Sequence, residues 1–246
     1  MSSSKTATLA IVGAGESIWT EDERTAGWVD LPLSESGLTQ AREAAAMLGT
    51  KSIRFSAAFT SMMKRGIHTL NIILDELDIN WIKYKKHWRL NPQHFGALQK
   101  LTKQEIRDKY GKKNYKNYMH SYSIKPPALE ENDEGHPSME VKYTGIPAMA
   151  LPGCESLEDT EKRLQSYWTD KIAPALLSGK NVLVVSHRNT IRALRKILGD
   201  VDETSITSLI IPPGIPRVYE FNDKLQIIDA YYLADDEEVR NRTTRT

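Results

Sequence analysis

Short apolar runs that each lead into an amphipathic helical pattern recur along this chain, and that alternation constrains the fold more than any other feature. Residues 7–12 and 181–186 are nearly continuous apolar segments of strand length, the pattern of strands covered on both faces. Residues 57–60 make a shorter one. Helical spacing follows each of them: residues 38–48 up to Gly49, residues 62–77 through Ile67, Leu70, Ile73, Leu74 and Leu77, and residues 188–198 closed by Gly199. Ser156 with Asp159 three residues on reads as a capping box for a helix to about residue 177, ended by Gly179. Residues 81–90, 218–221 and 226–232 complete the set of expected strands. Such an order predicts an α/β fold of three layers, a mostly parallel central sheet with helices on both faces.

The 246 residues, 40% hydrophobic and 26% charged, suit a single domain over 1–246 with a sizeable core. Between about 100 and 151 the character changes. Lys and Tyr abound, Pro126-Pro127 breaks any helix, and Glu130-Glu131-Asn132-Asp133-Glu134-Gly135 is a solvated acidic turn. This stretch is expected to be a lid-like insertion over one face. A formal net charge of +1 supplies no field for nucleic acid or an anionic membrane, so neither is expected as a partner. The single Cys154 has no intrachain partner, and no apolar run approaches the ~20 residues that cross a bilayer. A cytoplasmic protein without metal or cofactor is the expectation.

Leu9-Ala-Ile-Val-Gly-Ala-Gly-Glu-Ser17 ends the first strand in a small-residue turn. Gly13-Ala14-Gly15 alone admits a dinucleotide loop, in which glycines let backbone N–H groups approach a pyrophosphate. The third small residue of that pattern would be Ile18, and the acidic residue ~20 positions further on lacks a following strand of the right pattern, so the dinucleotide reading is weak.

A more specific series runs in order along about 220 residues: Gly15-Glu16-Ser17, Gly27-Trp28-Val29-Asp30, Thr60-Ser61 with Lys64-Arg65, Trp88-Arg89-Leu90-Asn91, His94-Phe95-Gly96, Glu155-Ser156-Leu157, Tyr167-Trp168, Ser186-His187-Arg188-Asn189 and Ile211-Pro212-Pro213-Gly214. This series resembles the cofactor-dependent phosphoglycerate mutases of the histidine phosphatase superfamily. The resemblance implies a phosphate pocket at the strand ends, with an Arg-His pair closing the first strand and the His carrying the phosphoryl group. Here those two positions are Gly13 and Ala14. The implied general acid-base Glu is Pro92, with Gln93 and Phe95 beside it in place of Arg and Tyr. Met119-His120 stand where two arginines are implied, and Thr20 and Ala26 replace further small polar groups.

What survives of that pocket is Arg65, Lys103, and His187 with Asn189, all implied ligand contacts. Read from the residues alone, Lys103 is a surface lysine and His94 a structural histidine. His187, between a buried strand and a helix, is either a ligand contact or an inert remnant. Arg188 replaces a Gly implied by the resemblance, and either enters the space vacated at Gly13 and Ala14 or swings to solvent. Phosphoryl transfer through phosphohistidine needs an in-line imidazole and a proton-trading carboxylate; Ala14 and Pro92 supply neither. The expectation is a catalytically inactive member that works by binding: a small phosphorylated or anionic ligand held by Arg65, His187 and Arg188, or a protein partner. That partner includes a homodimer formed along Trp81-Ile82-Lys83-Tyr84. An active mutase or phosphatase with altered chemistry is the alternative.

Overall fold

A computed structural model describes residues 6–244. Six strands form one sheet: β1 (Ala7–Gly13), β2 (Phe55–Thr60), β3 (Tyr84–Lys86), β4 (Asn181–Ser186), β5 (Arg217–Phe221) and β6 (Ile227–Tyr232), in the order β3-β2-β4-β1-β5-β6. β3, β2, β4 and β1 run parallel, and β5 pairs antiparallel with both β1 and β6. The architecture is the expected three-layer α/β arrangement.

Alternation along the strands distributes side chains between two cores. Leu9, Ile11, Val182, Val184, Tyr219 and Phe221 face one layer, in which α4 (Leu157–Tyr167), α5 (Ala173–Leu177) and α6 (Arg188–Ile197) pack. Their neighbours Ala10, Val12, Leu183, Val185 and Val218 face the other, against α1 (Glu35–Gly49) and α2 (Lys64–Glu76). Every strand residue named here is buried, which is why the central strands read as continuous apolar runs rather than alternating ones. α4 begins with the expected capping box, Ser156 Oγ accepting from the Asp159 N–H and the Asp159 carboxylate accepting from the Ser156 N–H. A π turn at Trp168–Ile172 joins it to α5.

One expectation changes, and two helices are added. The strand expected over 81–90 is confined to Tyr84–Lys86, because His87 Nδ1 accepts from the Arg89 N–H and starts a 3-10 turn at Trp88–Leu90. Trp81, 74% exposed, lies before this edge strand, while Ile82 is buried. Next, the 100–151 stretch holds a helix, α3 (Lys103–His120), opened by a Thr102/Glu105 capping box and broken at Gly111, whose φ of +82° suits only glycine. The remainder of that stretch packs on the body through Tyr143 and Leu151, which join Trp28, Met63 and Trp88 in a third apolar cluster. Finally, the tail forms α7 (Asp236–Thr244), tied down by Arg242, which bonds to Glu43 on α1 and to the Pro213 carbonyl.

No helix among the described residues is long and apolar enough to cross a membrane.

Candidate functional site

Parallel pairing brings the carboxyl ends of β1, β4 and β2 to one edge: Gly13 lies opposite Ser186, and Val185 opposite Thr60. The residues that follow, Ala14, His187 and Ser61, gather there. This is the edge at which α/β sheets hold ligands. A cavity of about 410 Å³ opens on it, and Gly13, Ala14, Arg65, Pro92, His187 and Arg188 all line it. Its mouth is completed by Phe95, Lys103, Met119 and the segment 211–213, with Glu16, Glu23 and Arg24 facing in from the loop after β1. Thr20 and Ala26 also line it. From the 100–151 stretch only Lys103 and Met119 reach it among the described residues.

The floor is polar but internally committed. Ala14 N–H donates to the Ser186 carbonyl at 2.6 Å, Gly15 N–H to Thr69 Oγ1 at 3.0 Å, Glu16 N–H to Gln40 Oε1 at 3.0 Å and Ser17 N–H to Thr20 Oγ1 at 3.2 Å. None of these amides is left to cradle a pyrophosphate, which removes the physical basis of a dinucleotide loop. Gly15 is small for a packing reason: a Cβ there would lie 2.4 Å from the Gly37 carbonyl at the start of α1. Gly13 is different. A Cβ there would meet only Ile191 Cδ1, at 3.9 Å, so the backbone leaves room for a side chain that the sequence does not supply.

His187 Nε2 lies 2.8 Å from Ser61 Oγ, which also accepts from the Met63 N–H. Burial, reinforced by the positive fields of Arg65 and Arg163, holds the imidazole well below its usual pKa and therefore neutral. Arg65 donates to the Gly27 carbonyl at 2.7 Å and the Val29 carbonyl at 2.9 Å, and burial lowers its pKa to about 10 despite Asp30. Lys103 Nζ sits 2.7 Å from Glu23 Oε1.

Arg188 is the first residue of α6 and has no hydrogen bond or ion pair among the described residues. Its side chain is exposed by surface area. The cavity walls still crowd the guanidinium enough that burial lowers its pKa, opposed by the Glu16 carboxylate. The side chain lines the cavity while remaining exposed to solvent.

Asn189 does not line this cavity. Its amide donates to Gln93 Oε1 at 2.5 Å and its carbonyl accepts from Arg192 at 2.8 Å, so it braces the wall and lies outside the cavity lining. Gln93 likewise turns inward, donating to the Glu155 carbonyl. His94 is fully buried, its Nδ1 accepting from the Gly96 N–H and its Nε2 without a partner; burial pushes its pKa down to about 3.

The wall at Pro92 rests on a residue that sequence reasoning missed. Arg163, on the buried face of α4, pairs with Glu155 and donates to the carbonyls of Arg89, Asn91 and Pro92. Trp28 Nε1 donates to the Pro92 carbonyl as well, at 2.6 Å. The spacing of Glu155 and Arg163 across two helical turns was the available signal. Arg192 was also missed; its Nε donates to the Leu209 carbonyl, and burial followed by the charge of Arg188 lowers its pKa to about 10.

A cavity at the carboxyl ends of parallel strands, with helices on both faces of the sheet, defines a ligand-binding α/β class. The chain belongs to the histidine phosphatase superfamily (branch 1), whose family model matches residues 9–136 and 129–232. Solved structures share the fold. Bacillus stearothermophilus YhfR is 20% identical with a TM-score of 0.69, over 95% of this chain and 99% of that one. The phosphoglycerate mutase from Bacillus anthracis str. Sterne is 23% identical with a TM-score of 0.66, over 97% of each. The alpha-ribazole phosphatase from Shigella flexneri is 17% identical with a TM-score of 0.67, over 90% and 94%.

Proposed function

We propose that this chain is a non-catalytic member of its superfamily, built on the pattern of the cofactor-dependent phosphoglycerate mutases, and that its strand-end cavity binds an anionic ligand without transferring a phosphoryl group. The observation that carries this reading is that His187 is the sole imidazole among the described residues lining the cavity, and its Nε2 is engaged by Ser61. The strand-end position that the resemblance assigns to the nucleophile is Ala14, and the acid-base position is Pro92. Without a nucleophile no phosphoenzyme forms, and without a proton donor the leaving oxygen departs unprotonated. Binding is carried by Arg188, the lining cation left without a partner among the described residues, with His187 as a neutral contact. Assaying the purified chain with 3-phosphoglycerate plus 2,3-bisphosphoglycerate, and separately with phenyl phosphate, should give rates equal to a heat-inactivated control. A rate above that control that is lost on His187→Ala would sink the proposal.

One geometric feature favours a second reading. Glu16 lines the cavity together with Arg188, and no ion pair joins them. In a phosphatase of altered chemistry, Glu16 would take a proton from water as the water oxygen bonds to phosphorus, the phosphorus–ester oxygen bond would break, and Glu16 would return that proton to the leaving ester oxygen. Turnover abolished by Glu16→Gln while anion binding persists would select this alternative.

A further inference from the structure

Four cations line the cavity, and three are committed elsewhere. Arg24 donates to the Lys100 carbonyl and lies 3.6 Å from Glu105. Arg65 is spent on the Gly27 and Val29 carbonyls, and Lys103 on Glu23. Arg188 alone has no partner among the described residues. Glu16 brings a carboxylate into the same space. A ligand carrying two separate phosphates would therefore find one available guanidinium and a repelling carboxylate. Two desolvated anionic groups need more compensation than that.

The rest of the lining is mixed: Ser17, Thr20 and Thr25 stand on the side of the loop after β1, and apolar side chains make up much of the remainder. Phe95, Met119, Pro92, Ile211, Pro212 and Ala14 present carbon to the cavity, several of them where the resemblance implies polar or charged groups. At about 410 Å³ the space is far larger than one phosphate or carboxylate and falls in the range of small-molecule sites, roughly 300–1,000 Å³. An inorganic anion on Arg188 would leave those walls facing water. A ligand with an apolar body would cover them and gain by it.

The wall is also fixed in place. Pro92 is held through its carbonyl by Trp28 and Arg163. The 211–213 rim is held at Pro213 by Arg242 from α7. A flat body thus meets preorganised surfaces, and little ordering is left to oppose binding.

We propose that the cavity is specific for amphiphiles with one anionic group: a carboxylate or phosphate-type head on Arg188, joined to an aromatic-sized apolar body lying against Phe95, Met119 and Pro212. This rests on the reading of the cavity as a binding pocket, and it names the class of ligand.

Calorimetry of the full chain with four probes tests it: phenylphosphonate, 1-naphthoate, inorganic phosphate and 2,3-bisphosphoglycerate. At least one aryl anion should bind about tenfold or more tightly than phosphate, in line with burial of a ring-sized apolar surface, and the bisphosphate should not exceed it. The two aryl probes distinguish a phosphate-type head from a carboxylate. Arg188→Ala should raise the aryl Kd by about tenfold to a hundredfold, the scale of lost charge-assisted hydrogen bonds, with Arg188→Lys intermediate. Phe95→Ala should weaken the aryl probes and leave phosphate unchanged. Arg188 is exposed, so circular dichroism of these variants should match the parent. Tightest binding by the bisphosphate, unaltered aryl binding in Arg188→Ala, or no aryl binding at millimolar concentration would overturn the proposal. Phenylphosphonate has no ester bond to hydrolyse, so its binding is read independently of turnover. Hydrolysis of phenyl phosphate would defeat the non-catalytic reading and leave the ligand class standing.

Discussion

Behind Pro92 the chain commits a buried ion pair, several guanidinium hydrogen bonds and an indole N–H to holding backbone carbonyls, whereas at Gly13 and Ala14 it commits no polar side chain at all. The wall and the floor of one cavity are thus held to different standards. Wall residues act on the position of the chain, so the fold depends on them. Side chains at positions 13 and 14 would act on a ligand, and Gly and Ala there leave the sheet intact. The contrast teaches that the cavity's shape and its chemistry are carried by separate sets of side chains, so one can persist without the other.

The contrast can be broken by substitution. Arg163→Ala leaves Glu155, 3% exposed, as an uncompensated buried carboxylate and frees the carbonyls of the 89–92 turn. It should lower the unfolding free energy by about 3–5 kcal/mol, measured by urea denaturation. A loss below about 1 kcal/mol would mean the wall does not depend on this pair.

Acid should act on both regions. His94 behind the wall and His187 at the floor are held neutral, His94 down to about 3 and His187 well below its usual value, both chiefly by burial. The unfolded chain titrates its histidines near 6.5, so it binds more protons than the folded one as pH falls through that value. The stability they contribute is complete above pH 6.5 and is lost below it, at about 1.4 kcal/mol per pH unit for each histidine. His87, lowered to about 4 by burial and Arg89, acts in the same direction. Stability that is flat between pH 6.5 and 4.5 would contradict the neutral assignments.

Smaller effects sharpen the comparison. Trp28→Phe removes the donor to the Pro92 carbonyl and should cost about 1–2 kcal/mol. The double change Gly13→Arg with Ala14→His, by contrast, should alter stability by no more than about 1 kcal/mol, because the space at position 13 is open. A melting-temperature series over the three variants reads the order directly. If the floor pair proved as disruptive as Arg163→Ala, the separation of shape from chemistry would fail.

Much of this was legible in the sequence because the sheet's core is written in continuous apolar runs and the α4 capping box is local. The cavity's members Gly13, Ala14, Arg65, Pro92, Lys103, His187 and Arg188 all meet there, carried by motif order along the chain. What stayed hidden had physical reasons. α3 buries only Ile106, so it has no apolar stripe to announce it, although Thr102 with Glu105 offered a capping signal. α7 is a short polar helix whose docking depends on Arg242 reaching Glu43, a contact 199 residues away in sequence. Arg163 reads as an ordinary surface charge until the fold places it against Trp28. Asn189 follows His187 by only two residues, yet the first turn of α6 rotates it away from the cavity toward Gln93.

The central claim is that this scaffold keeps a phosphate-family cavity and has no group to receive a phosphoryl. The most direct measurement is intact-mass spectrometry of the purified chain after incubation with 2,3-bisphosphoglycerate, with an acid wash as the control for phosphohistidine. The account predicts an unmodified mass in the parent chain. An acid-labile phosphoryl adduct that disappears in His187→Ala would contradict it.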